Sequence, residues 1–247
     1  MDPKAAKPRF DVSLSVFFPC YNEEGNIEPL TLRTREVLEP LVRQWEIILV
    51  NDGSKDRTGE IADRLAAQDS RIRAVHHPKN RGYGGALRTG FASATMDYVF
   101  FCDGDRQFEV AEIANLLERT GDADVVCGIR RNRQDNFVRR LNSACWAKFV
   151  QKMLRFRCAD VDCAFKLFRR SVLEGIELKS NGALISAELL ARITRAGCRM
   201  VSLPVTHLPR TAGSASGARP GVIFRAFKEL IELRKDILSA PKQSISP

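Results

Sequence analysis

Two aspartates that follow a short apolar segment have a spacing suited to binding a divalent cation. The segment FFCDGDRQF (100–108) places Asp103 and Asp105 one glycine apart, directly after residues typical of a buried strand. Mg²⁺ and Mn²⁺ prefer oxygen ligands, and they are often held by a few carboxylates together with phosphate oxygens of a substrate. A cation at this point would bridge a diphosphate and neutralise charge that develops on a leaving group. The alternative interpretation is an ordinary acidic turn.

Two further polar segments also follow apolar stretches. In ILVNDGSKDRT (48–58), Asp52 could accept a hydrogen bond from a nucleobase or a ribose. In VFFPCYNEEGNI (16–27), Tyr21 could offer its ring to a base, and Glu23 could supply an acceptor. A turn-forming aspartate and a plain strand-to-helix loop are the alternatives, and the second of these is compatible with a binding role.

A glycine-rich segment, NRGYGGALRTG (80–90), superficially resembles a dinucleotide-binding fingerprint. That fingerprint needs a set glycine order after the first strand, whereas here the spacing differs and the preceding strand is the third. The segment is better interpreted as a loop near a sugar diphosphate. His76 and His77, just upstream, are not spaced as metal ligands and are interpreted as structural or loop residues.

Hydrophobic periodicity predicts the elements that must position these motifs. Strands are predicted at 12–18, 46–50, 72–76, 98–102, 123–128 and 199–203. Helices are predicted at 26–42, 56–67, 84–94, 110–118, 137–156, 183–195 and 222–238. Alternation of strands and helices indicates an α/β fold with a mostly parallel sheet flanked by helices. Ligands of such sheets bind beyond the carboxyl ends of the strands, so the polar motifs are expected to share one site.

The charge of the chain is strongly positive and unevenly distributed. The 247 residues carry a formal net charge of +9, and twelve Lys and Arg face three Asp between Gly128 and Arg170. A basic balance predicts an acidic partner, which could be nucleic acid, an anionic membrane or a phosphorylated substrate. The predicted helices at 137–156 and 222–238 combine basic and apolar residues, a pattern typical of helices that lie at a membrane interface.

Cysteine usage and hydropathy restrict the class of protein further. The seven cysteines are odd in number and include no CxxC pair, so a structural zinc site is not expected and the thiols are expected to be reduced, in the cytoplasm. No apolar h-region typical of a signal peptide follows the first basic residues, and no apolar run approaches the roughly 20 residues of a membrane span.

The order of motifs resembles that of the family 2 glycosyltransferases, in their polyprenyl- or dolichyl-phosphate hexosyltransferase branch. PCYNEE, NDGSKD, NRGYGGA and DGDRQF occur in family order over residues 12–108. The resemblance implies a GT-A-type, Rossmann-like fold. It also implies inverting transfer of a hexose from GDP-mannose or a UDP-hexose to a polyprenyl or dolichyl phosphate, with Mg²⁺ or Mn²⁺ held by Asp103 and Asp105. Asp105 is then catalytic, and the implied donor contacts are Pro19, Tyr21, Glu23, Asp52, Asp103, Gly104 and Gln107.

The resemblance continues more loosely to about residue 225. GIR (128–130), DVDCAFKLFRR (160–170) and HLPRTAGSASG (207–217) are similar to late family segments. Arg139 and Ser143 match an Arg-x-x-x-Ser pair of the family. Together these similarities imply catalytic roles for Arg139 and Arg210, and acceptor contacts by Arg130, Arg139, Ser143 and Lys166. Two departures concern the acceptor. Lys166 stands for an arginine and loses its bidentate geometry, and Asp162 stands for a threonine.

These observations together predict the organisation and the surroundings of the protein. The expected parts are a flexible N-terminus (1–10), a GT-A-type domain (11–218), a basic amphipathic helix (219–238) and a disordered tail (239–247). The protein is expected to be cytoplasmic and peripheral on the cytoplasmic face of a membrane, with an anionic surface and a possible membrane protein as partners. No nucleic-acid partner is expected, and the oligomeric state is left open.

Other functions stay open on the sequence alone. The same donor chemistry could serve a soluble saccharide or a protein hydroxyl, for which Asp160 or Asp162 could act as the base. A nucleotidyltransferase would need a glycine loop after the first strand, where this chain has PCYNEE. A basic module that binds nucleic acid without catalysis is disfavoured, because an acidic cluster at the strand ends would repel phosphates in the absence of a metal.

Overall fold

One sheet of seven strands forms the centre of the molecule. The computed structural model describes residues 7–131, 137–182, 184–209 and 220–239, and for 137–142 and 220–226 only the backbone. The strands are β1 (Phe10–Cys20), β2 (Val42–Asn51), β3 (Ile72–His76), β4 (Tyr98–Phe101), β5 (Val125–Arg131), β6 (Lys166–Arg169) and β7 (Met200–Thr206). Their order across the sheet is β3-β2-β1-β4-β6-β5-β7. Only β6 is antiparallel to its neighbours, β4 and β5, among these strands.

Helices connect the strands and cover the sheet. They are α1 (Ile27–Leu41), α2 (Thr58–Gln68), α3 (Gly82–Ser93), α4 (Ile113–Leu117), α5 (Phe137–Leu154), α6 (Arg170–Leu173), α7 (Ile185–Arg195) and α8 (Pro220–Ser239), with a 3-10 turn at Val110–Glu112 before α4. The apolar spacing of α1 explains how such helices bind the sheet, since its buried positions recur at helical intervals. They include Ile27, Leu30, Leu38 and Leu41.

The core is centred on β1 and β4, where β4 and the middle of β1 are buried on both faces. Phe17, Phe91, Phe101 and Phe168 form an aromatic cluster with ring centroids 5.0 to 6.1 Å apart. Gly90 allows α3 to approach this cluster closely, because a Cβ there would lie 2.2 Å from the Phe17 ring. Strands buried on both faces are typical of parallel sheets covered by helices.

The predicted α/β architecture with a mostly parallel sheet is confirmed, and the main difference is β6. This strand lies within DVDCAFKLFRR, where no strand was predicted, and it is inserted between β4 and β5. Its four residues, KLFR, are basic at both ends. A segment this short gives no apolar alternation, and only its pairing with both neighbours makes it a strand. The predicted helix at 137–156 ends at Leu154, and Arg155 follows with φ 59°.

The C-terminal helix packs on the domain. α8 lies against α5 and α7, and it buries Leu230, Leu233 and Ile237. The division into a domain (11–218) and an appended helix (219–238) stays a prediction, and the predicted loose ends (1–10 and 239–247) lie largely outside the described residues. Within the described part of the chain, no helix has the length and apolar character to cross a membrane.

Candidate active site

The carboxyl ends of β1, β2 and β4 open into one cavity of about 670 Å³. Four separate segments of the chain line this cavity, as the positions of the motifs at strand ends predict. Its lining includes six of the seven predicted donor contacts: Pro19, Tyr21, Glu23, Asp52, Asp103 and Gly104. Asp105 also lines it, together with Asn80, Gly82 and Tyr83 from the glycine-rich segment. The prediction that these motifs share one site is therefore confirmed as to position.

Asp103 and Asp105 lie side by side beyond β4, on the wall of this cavity. Burial and, secondly, the negative charge of Asp105 raise the pKa of Asp103 from 3.8 to about 7. The hydroxyl of Tyr83 donates to Asp103 Oδ1 at 3.0 Å, and burial raises the pKa of that phenol well above its usual value, which keeps it a donor. Two adjacent buried carboxylates disfavour each other's charge, and a bound cation would relieve this repulsion.

The ligand types at this point fit a magnesium or manganese ion. Within the described residues, no three His, Cys, Asp or Glu side chains are grouped to hold a metal. The pair Asp103 and Asp105 offers only hard oxygen ligands, which suits ions that keep waters and take further oxygens from substrate phosphates. These two aspartates are the residues that would hold the ion.

Asp52 is fixed at the end of β2 by the neighbouring loops. Its amide donates to Cys20 O at 2.8 Å. Its Oδ1 accepts from His77 Nδ1 at 2.6 Å and from the Arg81 amide at 2.8 Å. Asp52 is 3% exposed and still lines the cavity, so it combines a rigid position with access to a ligand.

Gly53 makes this arrangement possible, because it lets the turn after Asp52 pass close to the following loop. Its φ is +67°, and a Cβ would lie 2.6 Å from the backbone nitrogen of Asn80. We expect Gly53→Ala to lower the free energy of unfolding by about 2–4 kcal/mol, through left-handed strain and a clash with main-chain atoms. Urea denaturation measures it. Gly121→Ala is the matched control, since a Cβ there meets nothing within 4 Å. Equal stability of the two variants would contradict this account.

The loops after β1 and β2 are bonded to each other at the opening of the cavity. Asn22 Oδ1 accepts from the Lys55 amide at 2.8 Å, and the Glu23 amide donates to Thr58 Oγ1 at 2.8 Å. Tyr21, in the loop after β1, lines the cavity and is 43% exposed. A large ring left exposed at the edge of a cavity is available to a planar ligand.

Gln107, the seventh predicted donor contact, is not among the cavity-lining residues. Its backbone carbonyl accepts from the Leu208 amide at 2.8 Å, and its side-chain amide donates to Leu208 O at 3.2 Å. Gln107 therefore joins the Asp105 loop to the segment that follows β7. Arg210, two residues farther on, lies outside the described residues.

The predicted acceptor contact Arg130 is engaged in an internal ion pair. Its guanidinium makes two hydrogen bonds to Asp160, at 2.8 and 2.7 Å, and both side chains are mostly buried. Burial opposes the charge on Asp160, yet the hydrogen bonds from Arg130 hold its pKa below the usual value. A carboxylate with a lowered pKa is a weak base, so this geometry disfavours Asp160 as the base for a hydroxyl acceptor.

Lys166 does not lie where an acceptor phosphate could reach it. It is 1% exposed, and its ammonium donates to the carbonyls of Val161 and Cys163, 5.7 Å from the Phe101 ring centroid. The predicted contact with the acceptor therefore needs correction, because β6 turns this side chain into the core. The remaining acceptor predictions are untested. Ser143 is half-buried on α5, and the Arg139 side chain lies outside the described residues.

Two polar side chains of the site were given no binding role on the sequence. Tyr83 contacts Asp103, and His77 contacts Asp52. Both follow strand ends or lie in the glycine-rich segment, which is the signal that could have identified them. Their partners are 20 and 25 residues away along the chain, so the contacts arise only when the strands lie side by side.

Comparison with known proteins gives consistent matches. The family model described as "Glycosyl transferase family 2" matches residues 15–176. The chain is 35% identical over 216 residues to "Glycosyltransferase AglD" of Haloferax volcanii, covering 83% of this chain and 35% of that protein. It is 30% identical over 231 residues to an "Undecaprenyl-phosphate 4-deoxy-4-formamido-L-arabinose transferase" of Klebsiella pneumoniae (strain 342), covering 92% and 66%. The chain thus spans about a third of the first relative and two thirds of the second.

The fold is similar to that of a solved enzyme. A structure of glucosyl-3-phosphoglycerate synthase from Mycobacterium tuberculosis, in complex with Mn²⁺, UDP and phosphoglyceric acid, superposes with a TM-score of 0.68 at 20% identity. The match covers 93% of this chain and 80% of the synthase. Another structure of that synthase, with Mg²⁺ and UDP, gives a TM-score of 0.66 at 19% identity, covering 93% and 80%. This likeness confirms the predicted GT-A-type fold.

Proposed function

Because the chain belongs to glycosyl transferase family 2, we propose that it transfers a hexose from a nucleotide diphosphate sugar to a polyprenyl or dolichyl phosphate. One observation carries the proposal. Asp52 and the Asp103–Asp105 pair, which come from two strand ends, line the same cavity. One end of that cavity suits a nucleoside and the other suits a metal-bound diphosphate.

Different side chains of the cavity contact different parts of the donor. Asp52 accepts a hydrogen bond from the nucleoside, and the exposed Tyr21 ring lies against its base. Asp103 and Asp105 hold Mg²⁺ or Mn²⁺, and the Tyr83 hydroxyl fixes the orientation of Asp103. When bound, the ion supplies positive charge that stabilises the departing diphosphate. The protein thus acts mainly by positioning and by electrostatic stabilisation.

The proposed acceptor is a lipid phosphate, for which the chemistry needs no strong base. A phosphate monoester is already anionic near neutral pH and can attack the anomeric carbon directly, with inversion. The pairing of Asp160 with Arg130 disfavours one of the two candidate bases for a hydroxyl acceptor, and to that extent supports the lipid phosphate. The similarity to the Klebsiella undecaprenyl-phosphate 4-deoxy-4-formamido-L-arabinose transferase supports it also. Arg139 and Ser143 are the proposed contacts of the acceptor phosphate. Arg210 is proposed to stabilise the negative charge that develops on the departing diphosphate.

A panel of donors tests the proposed function. UDP- and GDP-hexoses are supplied with Mn²⁺ and an undecaprenyl phosphate, and both thermal stabilisation and release of nucleoside diphosphate are measured. One nucleotide class should raise the unfolding temperature and be consumed only when the lipid phosphate is present. Consumption of the same donor with a soluble saccharide and not with the lipid would favour the hydroxyl-acceptor alternative. No stabilisation by any donor would contradict the proposal.

An exposed aromatic patch supports a membrane surface as the place of this reaction. We define it as Trp146 and Phe149 of α5 and Phe227 and Ile231 of α8. The three rings lie 4.8 to 6.0 Å apart, and Phe149, Phe227 and Ile231 are 41%, 40% and 51% exposed. Clustered apolar side chains on a surface mark sites that contact a partner or a membrane. The patch lies on the two helices predicted to be interfacial.

A basic groove adjoins this patch and fits anionic headgroups. The groove has a volume of about 780 Å³ and no acidic residue in its lining, which includes Lys148, Lys152, Arg155 and Arg157. None of these four cations forms an ion pair with another described residue. Lys148 precedes Phe149 on the exposed face of α5, so cations and aromatic rings would meet one surface together. We propose peripheral attachment to an anionic membrane, at its cytoplasmic face.

We expect the protein to co-sediment with liposomes that contain phosphatidylglycerol, and not with neutral ones, and to be released by high salt. The Lys148→Ala/Lys152→Ala double variant should partition roughly 30-fold more weakly, because each basic residue near an anionic surface contributes about 1 kcal/mol. Arg43→Ala, an exposed arginine at the far side of the sheet, is the control. Unchanged partitioning of the double variant would show that the groove does not face the membrane.

The acceptor site has a separate kinetic test. Arg139→Ala should raise the KM for polyprenyl phosphate and leave the affinity for the nucleoside diphosphate unchanged, because the arginine is assigned to the acceptor alone. Normal kinetics with a lipid phosphate, in a protein that also ignores liposomes, would favour the soluble-acceptor alternative.

A further inference from the structure

His77 is a buried histidine whose two ring nitrogens both have hydrogen-bond partners. It follows β3 and is 6% exposed. Its Nδ1 lies 2.6 Å from Asp52 Oδ1, and its Nε2 lies 2.8 Å from Thr89 Oγ1 on α3. A chain of three polar side chains thus runs from the helix to the carboxylate at the edge of the donor cavity.

The chemistry of these groups fixes the direction of the hydrogen bonds. An ionised carboxylate can only accept, so His77 Nδ1 must carry a proton and donate to Asp52. In the neutral imidazole, Nε2 is then unprotonated and accepts from the Thr89 hydroxyl. The tautomer follows from this network and not from observed hydrogens. Thr89 therefore favours the one tautomer of His77 that can donate to Asp52.

The two bonds to Asp52 leave one of its oxygens for a ligand. His77 Nδ1 and the Arg81 amide both donate to Oδ1, and no described residue donates to Oδ2. Two donors on one oxygen prevent rotation of the carboxylate and neutralise part of its charge. Asp52 lines the cavity, and Oδ2 is the oxygen of its carboxylate that remains available to a ligand there.

We propose that His77 is a positioning residue of the donor site, which holds the Asp52 carboxylate so that Oδ2 receives a hydrogen-bond donor of the nucleoside. Thr89 acts one step farther away by fixing the tautomer. This proposal rests on the proposed role of Asp52 in binding the nucleotide. Binding to a preorganised acceptor avoids the cost of ordering a carboxylate when the ligand arrives.

A pair of isosteric variants separates the two arms of the imidazole. Asparagine at position 77 places an amide nitrogen at the position of Nδ1, so His77→Asn keeps the donor to Asp52 and loses the hydrogen bond with Thr89. Glutamine reaches the position of Nε2, so His77→Gln keeps a group near Thr89 and loses the donor to Asp52. His76→Gln is the matched control, because the His76 side chain is 37% exposed and bonds Asn51 and Asp63, and not Asp52.

The experiment measures the affinity of each full-length variant for UDP and GDP, with Mn²⁺, by calorimetry, together with its unfolding temperature. For the nucleotide that wild type binds, the affinity of His77→Gln should be lower by roughly tenfold or more, which is the effect of losing one hydrogen bond to a charged group. The affinities of His77→Asn and His76→Gln should stay within about threefold of the wild-type affinity, and the affinity of Thr89→Val should be about two- to fivefold lower. A merely structural role would lower the unfolding temperature of both position-77 variants and spare the affinity of both.

The variant Asp52→Asn distinguishes a failure of the proposed donor role of Asp52 from a failure of the positioning role of His77. If Asp52→Asn binds the nucleotide as wild type does, the proposed donor role of Asp52 is wrong, and this inference fails with it. If Asp52→Asn loses affinity while His77→Gln does not, the donor site stands and the positioning role of His77 is refuted. If His77→Gln does not fold, Thr89→Val decides, since it removes one hydroxyl and keeps the shape of the side chain. Unaltered affinity in Thr89→Val would then overturn the proposal.

Discussion

Asp105→Asn should sharply reduce turnover, with a loss in kcat of about 10²- to 10³-fold. Asparagine keeps the shape of the side chain and removes its negative charge. Asp105 is 5% exposed and lies beside Asp103 at the wall of the donor cavity. If Asp105 holds the proposed cation, the loss of this ligand would weaken both the binding of the cation and the stabilisation of the leaving diphosphate. Loss of a single electrostatic contact made in the transition state costs about 3–4 kcal/mol.

The measurement compares nucleoside diphosphate release with direct titration of Mn²⁺. Chelation of wild type with EDTA should have the same effect as the substitution, and added Mn²⁺ or Mg²⁺ should reverse only the chelation. Asp122→Asn is the control, since this aspartate pairs with Arg119 on the surface. Full activity after exhaustive chelation would remove the metal from the mechanism. Normal Mn²⁺ affinity in Asp105→Asn would remove Asp105 from its ligands.

Arg130→Ala should lower the free energy of unfolding by about 3–5 kcal/mol, the largest stability effect that we expect from a single side chain. The pair Arg130–Asp160 is 14% and 11% exposed and joined by two hydrogen bonds. Removal of the guanidinium leaves a buried carboxylate without compensation, and this costs more than the pair itself contributes.

Urea denaturation of Arg130→Ala and Arg131→Ala provides the test. Arg131 is the exposed neighbour on β5, and its loss should change stability by less than about 0.5 kcal/mol. The double variant Arg130→Met/Asp160→Leu should recover most of the stability, because two apolar side chains leave no unpaired charge. Equal stability of the two single variants would show that Asp160 reaches solvent or another partner.

The described cations of the basic segment between Gly128 and Arg170 include two groups with different surroundings. Some of these cations have partners within the protein. Arg130 pairs with Asp160, Lys166 bonds to main-chain carbonyls, and Arg170 pairs with Glu174. Others lie in the basic groove next to the aromatic patch. Net charge per segment therefore overestimates the positive surface that the described cations would offer to a membrane, because the cations of the first group already have partners within the protein.

The sequence by itself determined the α/β class, the positions of the six parallel strands and the edge of the sheet at which the polar motifs meet. The physical reason is that these features depend on local patterns. Apolar runs become buried strands, amphipathic periods become the covering helices, and side chains directly after parallel strands must emerge at the same edge. Asp52, Asp103 and Asp105 could thus be placed together without any knowledge of side-chain contacts.

Tertiary structure alone decided how those residues are held and which cations remain exposed. β6 is stable only between β4 and β5, and this placement turns Lys166 into the core. His77 contacts Asp52 because β2 and β3 run side by side, although 25 residues separate the two side chains. Pairings of this kind depend on which strands become neighbours and on burial, and neither is encoded in the spacing of residues along the chain.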